Sequence, residues 1–228
     1  MKKQKQKNKS GNSVMQVIVF ITAILFVGAL LIIMLSDGKN SEKREEISLT
    51  DQPILGDVDA PVSIVEFGDF MCPSCGAWTS EIFPKLNSKY IENGKASLSF
   101  INVLFHGESS YLGSIAAEAV LSLYPKDYWD FHHELYAQQP KENHDAPWLT
   151  EETIIKVAED TITDFNLEDF SEEINKESSK KQVEIDANLV EKHKVESTPT
   201  VYINGIKLAN PMDIKAIEKA IEKELGKK

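Results

Sequence analysis

Cysteine is nearly absent from this chain of 228 residues: Cys72 and Cys75 are the only two. That scarcity excludes a disulfide-stapled scaffold and a thiolate zinc centre, which needs about four ligands. The five histidines are scattered and none forms a metal spacing with another. No EF-hand loop and no internal repeat is present. Basic charge is in deficit too. The chain holds 25 Lys and Arg against 36 Asp and Glu, a net charge of −11. Residues 1–13 carry five lysines and no acid, so the remainder carries −16. An acidic body lacks the basic footprint that nucleic acid requires, and no nucleic-acid partner is expected. What remains is an ordinary globular composition, long enough for one sizeable core and a tail.

The N-terminus departs from this pattern. A basic tail (1–13, with Lys2, Lys3, Lys5, Lys7 and Lys9) precedes an apolar run from Val14 to Leu35. As a helix that run spans about 33 Å, enough for the hydrocarbon core of a bilayer. A cleaved signal peptide has a shorter apolar core and ends in a small-x-small site, which Ile33-Met34-Leu35-Ser36-Asp37 does not supply. No cysteine follows the run to carry a lipid. The expectation is an uncleaved transmembrane anchor over 14–35, contacting membrane lipid, with the lysines cytoplasmic and the body outside the cell membrane. Residues 36–55 are mostly polar and charged, and read as a tether.

In the body, Val62–Phe67 is a short β-branched run and reads as a buried strand. Helical spacing follows from Pro73 to about Tyr90, with Trp78, Ile82 and Leu86 on one face and a kink expected at Pro84. Asn93-Gly94 is a turn, and Ala96–Phe105 is a second strand. A helical block then occupies about 108–194, with Thr150 as one N-cap and a last helix from about Lys180. Val201-Tyr202-Ile203 and Ile206-Lys207-Leu208 flank Asn204-Gly205, which predicts a type I′ hairpin. Pro211 opens a terminal amphipathic helix. The fold class is α/β, with the first strand–helix–strand unit parallel.

Cys72-Pro73-Ser74-Cys75 lies where the first strand hands over to a helix. A Cys-x-x-Cys pair there reads as a thiol–disulfide redox site. The helix N-terminus favours a thiolate on Cys72, and a stabilised thiolate makes the disulfide form a stronger oxidant. Cys72 is then the nucleophile, and Cys75, one turn on, the buried resolving sulfur. A purely structural bridge over so short a loop would stabilise by only about 2 kcal/mol. Phe67, Phe70, Trp78, Trp129 and Trp148 are candidates for a peptide groove or for the core.

Taken together, Glu-Phe-x-Asp-Phe before Cys-Pro-x-Cys, the long helical block, Thr198-Pro199-Thr200 before a hairpin and a terminal helix resemble thioredoxin-fold proteins of the DsbA type. With its anchor the chain is similar to the membrane-bound, BdbD-like disulfide oxidoreductases of Gram-positive bacteria. The resemblance covers about Asp57 to Leu225 and implies a thioredoxin fold with a helical insertion in a domain over 56–228. It implies that Pro199 is a cis-proline facing the sulfurs with Thr198 beside them, and that Glu66 is a buried acid relaying the proton of Cys75; an exposed strand-end Glu66 and an ordinary strand-leading Pro199 are the alternatives. No cofactor is required by this chemistry, but the resemblance points to a calcium ion, with Gln52, Glu118 and Asp186 as oxygen ligands. Ser74 departs from the enterobacterial members, which have histidine there. The implied activity is oxidation of cysteine pairs in exported proteins, followed by re-oxidation by a quinone-linked membrane partner of the DsbB type. A reductase or isomerase of the same fold, and a peptide-binding module with incidental cysteines, are the competing readings.

Overall fold

The computed structural model describes residues 18–19, 21–23, 25–28, 43–142 and 148–227. The chain divides into two units, Met1–Glu42 and Lys43–Lys228. In the first, the described residues are helical, and Ile18, Val19, Leu25 and Phe26 are exposed. The rest of the expected 14–35 anchor, and all of the 1–13 tail, lie outside the described residues. Among the described residues no helix is long and apolar enough to cross a membrane.

The second unit is built on a sheet in the order β1-β3-β2-β4-β5, formed by Ile54–Gly56, Val62–Gly68, Ala96–Asn102, Thr200–Ile203 and Ile206–Lys207 in chain order. The central strand β2 pairs parallel with β3 and antiparallel with β4. Every residue of β2 except Ser63 is buried, as expected of a strand covered on both faces. Alternation sends Val62, Ile64 and Glu66 to one face and Val65 and Phe67 to the other. The first face packs under Ile217 and Ile221 and holds Cys75 and Trp78. The second packs with Ile101, Val103, Leu189 and Tyr202.

The helix after β2 is less regular than its spacing predicts. It runs as α1 (Pro73–Ala77), a π turn (Trp78–Ile82), α2 (Phe83–Leu86) and a second π turn (Asn87–Ile91). Pro84 has no N–H to return to the preceding turn, and the strain is taken up by widening: Phe83 N donates to Trp78 O, five residues back. The expected kink at Pro84 is therefore a π turn ahead of it.

Helices α3 (Glu108–Leu123), α4 (Tyr128–Ala137), α5 (Glu151–Thr161), α6 (Leu167–Asn175) and α7 (Glu177–Lys192) lie between β3 and β4 in the chain. Thr150 accepts from Thr153 N as the cap of α5. Helix α7 begins at Glu177, three residues before the expected start, directly after the extended Lys176. The terminal helix α8 (Ile214–Leu225) begins after Pro211, because Asp213 rather than the proline caps it through Lys215 N and Ala216 N. In the hairpin, Asn204 and Gly205 have φ of 46° and 76°, the positive pair a type I′ turn requires.

Three further differences matter for the site. Strand β1 is absent from the sequence reading; it is three residues long and too short to show a period, yet it pairs Ile54 with Ser99 on β3. Strand β3 ends at Asn102, not Phe105, because the chain beyond it turns to wrap the Asp69 carboxylate. From Lys43 onward the expected tether (36–55) is held to the body. Arg44 donates to Asn204 O and Glu224, Glu45 N to Gly205 O, and Ile47 and Leu49 pack on the second core face.

Candidate functional site

Cys72 is the N-cap of α1 and Pro73 fills the first turn, where a missing N–H costs nothing. Both cysteines are free thiols; Cys72 retains 8% of its surface and Cys75 none. Facing them is the loop before β4. Its Thr198-Pro199 bond is cis, and Thr198 O lies 3.4 Å from Cys72 Sγ. The structure thus brings the Cys72–Cys75 pair together with Thr198 and Pro199, more than a hundred residues further along the chain.

The electrostatics divide the two sulfurs. Cys72 is lowered from the ordinary 9.0 to about 5, chiefly because the Cys75 side chain hydrogen-bonds its thiolate, with Thr198 and the N–H groups of Cys75 and Ser74 adding to it. Burial opposes the shift and does not win. Cys75 goes the other way: burial pushes it well above 9.0, and its bond to Cys72 and the charges of Glu66 and Cys72 push further. At neutral pH the pair is one thiolate and one thiol.

Glu66 sits on β2, on the face that holds Cys75, and is 1% exposed. Its carboxyl is raised well above the usual range, first by burial and then by the Cys72 charge. Its Oε1 has no hydrogen-bond partner. Of the two sequence readings of Glu66, exposed or buried, the structure takes the buried one.

Two further residues hold the site together. Asp69 is fully buried. Its carboxylate accepts from Met71 N, Phe105 N and Ser110 Oγ, and pairs with His106 Nδ1 at 2.8 Å, tying the turn before Cys72 to the loop after β3. Gln139 donates to Phe70 O and Cys72 O. Asp69 is the aspartate of the Glu-Phe-x-Asp-Phe run, which marks the residue without showing its partners; nothing in the sequence marks Gln139. Of the aromatics, Phe67, Phe70 and Trp78 belong to the core, Trp129 is nearly buried, and Trp148 is partly so.

A second polar cluster lies under the insertion helices. Gln52 Nε2 donates to Asp186 Oδ1 at 2.7 Å; Asn102 Nδ2 donates to both Asp186 Oδ2 and Glu118 Oε1. Burial, and then the charge of Asp186, lifts Glu118 to about 8; burial lifts Asp186 to about 6. Gln52 Oε1 and Asn102 Oδ1 are buried without partners. Two buried carboxyl groups beside two orphaned amide oxygens supply hard oxygens of the kind calcium takes. Among the described residues no group of three or more His, Cys, Asp or Glu could hold a metal, so any ion here depends on the amides. A cleft of about 350 Å³ lined by Gln52, Glu118 and Gln182 opens onto this cluster.

Comparison with known proteins agrees with the geometry. A family described as Thioredoxin matches residues 48–223. The "probable disulfide bond formation protein D" of Bacillus anthracis is 37% identical over 220 residues, covering 96% of this chain and all of that one. The disulfide bond formation protein D of Bacillus subtilis is 41% identical over 178 residues, 78% of this chain and 79% of that one. The crystal structure of oxidised BdbD from Bacillus subtilis superposes with a TM-score of 0.76 at 40% identity, over 82% of this chain and 100% of that one.

Proposed function

We propose, from the premise that the chain belongs to the thioredoxin family and within it to the disulfide bond formation protein D group, that it is a thiol–disulfide oxidoreductase working as an oxidase outside the cytoplasm. The observation that carries this reading is Cys72 at the N-terminus of α1, one turn from the buried Cys75 and 3.4 Å from Thr198 O, a setting that holds Cys72 down at about 5 and pushes Cys75 up. A thiolate of that pKa is about 99% ionised at pH 7, which stabilises the dithiol form and makes the disulfide form oxidising.

The exchange runs in two displacements. A substrate thiolate attacks Cys72 Sγ of the disulfide, forming a mixed disulfide and breaking the Cys72–Cys75 bond. Cys75 leaves as a thiolate, which its surroundings disfavour, and takes the proton of the Glu66 carboxyl; Glu66 recovers a proton from solvent. The second substrate thiolate then attacks its own partner sulfur and expels Cys72 as a thiolate. The substrate has lost two electrons and the pair has gained them. Thr198 and Pro199 stand beside Cys72, where an extended substrate would lie.

The lysine-led apolar segment supports an anchor over 14–35 with the body on the outer face, where disulfides persist. Exported proteins with free cysteine pairs are then the substrates. A quinone-linked membrane partner of the DsbB type takes the two electrons from the dithiol and restores the disulfide. A calcium ion held by Glu118, Asp186, Gln52 and Asn102 would satisfy the orphaned oxygens and let both carboxylates ionise; it takes no part in the exchange.

A Cys75→Ser variant tests the reading. It accumulates mixed disulfides with exported proteins through Cys72, while the Cys72→Ser variant accumulates none. A peptide-binding module with incidental cysteines would trap nothing in either variant.

A further inference from the structure

The catalytic turn is also held from the insertion side, by a residue that the exchange chemistry does not use. Gln139 lies just past Gln138, the C-cap of α4, and its own N–H donates to Tyr136 O at 3.1 Å, so its backbone is fixed to the last turn of that helix. Its side chain reaches across to the redox turn. Nε2 donates to Phe70 O at 2.7 Å and to Cys72 O at 3.1 Å. A primary amide carries two N–H donors on one nitrogen, so one side chain holds two carbonyls at once. Glutamate at the same length offers only acceptors, and methionine offers no donor.

Gly76 is a second and independent observation. It is helical with no positive φ, so the backbone does not require glycine there, and glycine weakens a helix. A Cβ on Gly76 would stand 2.2 Å from Gln139 Oε1 and 2.8 Å from Gln139 Cδ. The glycine makes room for the amide. The donor end of Gln139 lies on the turn and its oxygen end lies on Gly76, so the side chain is seated at both ends.

We propose that Gln139 is a positioning residue of the redox centre: its amide, seated against Gly76, clamps the carbonyls of Phe70 and Cys72 and so sets where Cys72 Sγ stands relative to Cys75 and Thr198. The inference deepens the oxidoreductase reading and rests on it. The amide turns its positive end toward the residue that bears a negative charge only in the reduced form. It therefore favours the dithiol form over the disulfide. It also ties the helical insertion to the sulfurs, because the clamp is anchored on the last turn of α4.

The test compares full-length Gln139→Met, Gln139→Glu and Gly76→Ala proteins with the unaltered one, by ultraviolet titration of the Cys72 thiolate and by the equilibrium with glutathione. Gln139→Met raises the thiolate midpoint by about half a unit, roughly a threefold change in its acid constant, and weakens the oxidant in the same direction. Gln139→Glu places an anion at the same reach and shifts the midpoint further. Gly76→Ala displaces the amide; it reproduces the methionine shift alone and adds nothing in the Gln139→Met background. Midpoints and equilibria unchanged in folded Gln139→Met or Gln139→Glu protein overturn the proposal, whatever happens to the unfolding temperature. So does a Gly76→Ala effect that adds in full to Gln139→Met. Failure of the unaltered protein to exchange with glutathione at all would instead remove the oxidoreductase reading, and this proposal with it.

Discussion

Lowering the pH from 7 to 4 should erase the preference for the reduced form that the Cys72 thiolate supplies. The size of the effect follows from the site. Cys72 sits at about 5 in the folded dithiol protein against 9.0 for an ordinary thiol. A depressed acid contributes stability that is complete above the unfolded value and is lost as pH falls through the folded one. At pH 7 the unfolded thiol is protonated and the folded one is not. The contribution there is the gap between pH 7 and about 5, roughly two units or about 2.7 kcal/mol. Near pH 4 it is close to zero. The oxidised protein lacks this thiolate. The difference in stability between reduced and oxidised protein therefore isolates it, since groups present in both forms, Glu118 and Asp186 among them, cancel to first order. Cys75 drops out as well, because it is protonated in both the folded and the unfolded chain below pH 7. The assay is denaturant unfolding of each redox form at pH steps from 7 to 4, followed by tryptophan fluorescence. A reduced-minus-oxidised gap that stays constant over that range would refute the reasoning.

Other consequences follow from the same geometry. Replacing Glu66 by Leu removes a buried carboxyl with an unpartnered oxygen, so the protein gains about 1–3 kcal/mol in urea unfolding. The same variant loses on the order of 100-fold in the rate of mixed-disulfide formation by stopped flow, since Cys75 has lost its proton donor; a stable variant with full rate would contradict the relay. Calcium at a hundredfold excess over its dissociation constant raises stability by about 2.7 kcal/mol, read as a higher melting temperature by calorimetry. Glu118→Gln abolishes that gain, and an unchanged melting temperature of the unaltered protein with calcium would remove the ion from the account.

The parts of the molecule that sequence made legible are those whose signal is local. The β-branched run of β2, the Asn204-Gly205 turn, the Thr150 cap and the Cys-Pro-Ser-Cys turn each announce themselves within a few residues. Strand β1 did not, because three residues cannot show a period and its partner lies more than forty residues on. The π turns follow from how the chain absorbs Pro84, which spacing alone does not specify. Tertiary partners were the least legible. Asp69 is defined by Phe105, His106 and Ser110, Gln139 by Phe70 and Cys72, and Asn102 by Glu118 and Asp186. Nothing near Gln139 or Asn102 in sequence marks it as a partner, and the Glu-Phe-x-Asp-Phe run marks Asp69 without naming what it holds. From Lys43 onward the expected tether departs from the structure for the same reason: its polar residues suggest solvation, but Arg44 and Glu45 have their partners on the far hairpin, the last helix and His193.

The central claim is that the Cys72–Cys75 pair is poised to give its disulfide away. The measurement that bears on it most directly is the equilibrium of that pair with reduced and oxidised glutathione at pH 7. The expected potential lies well above that of thioredoxin, at about −200 mV or higher, with the dithiol as the favoured form. A potential near about −270 mV, that of thioredoxin, would make the protein a reductant and contradict the account.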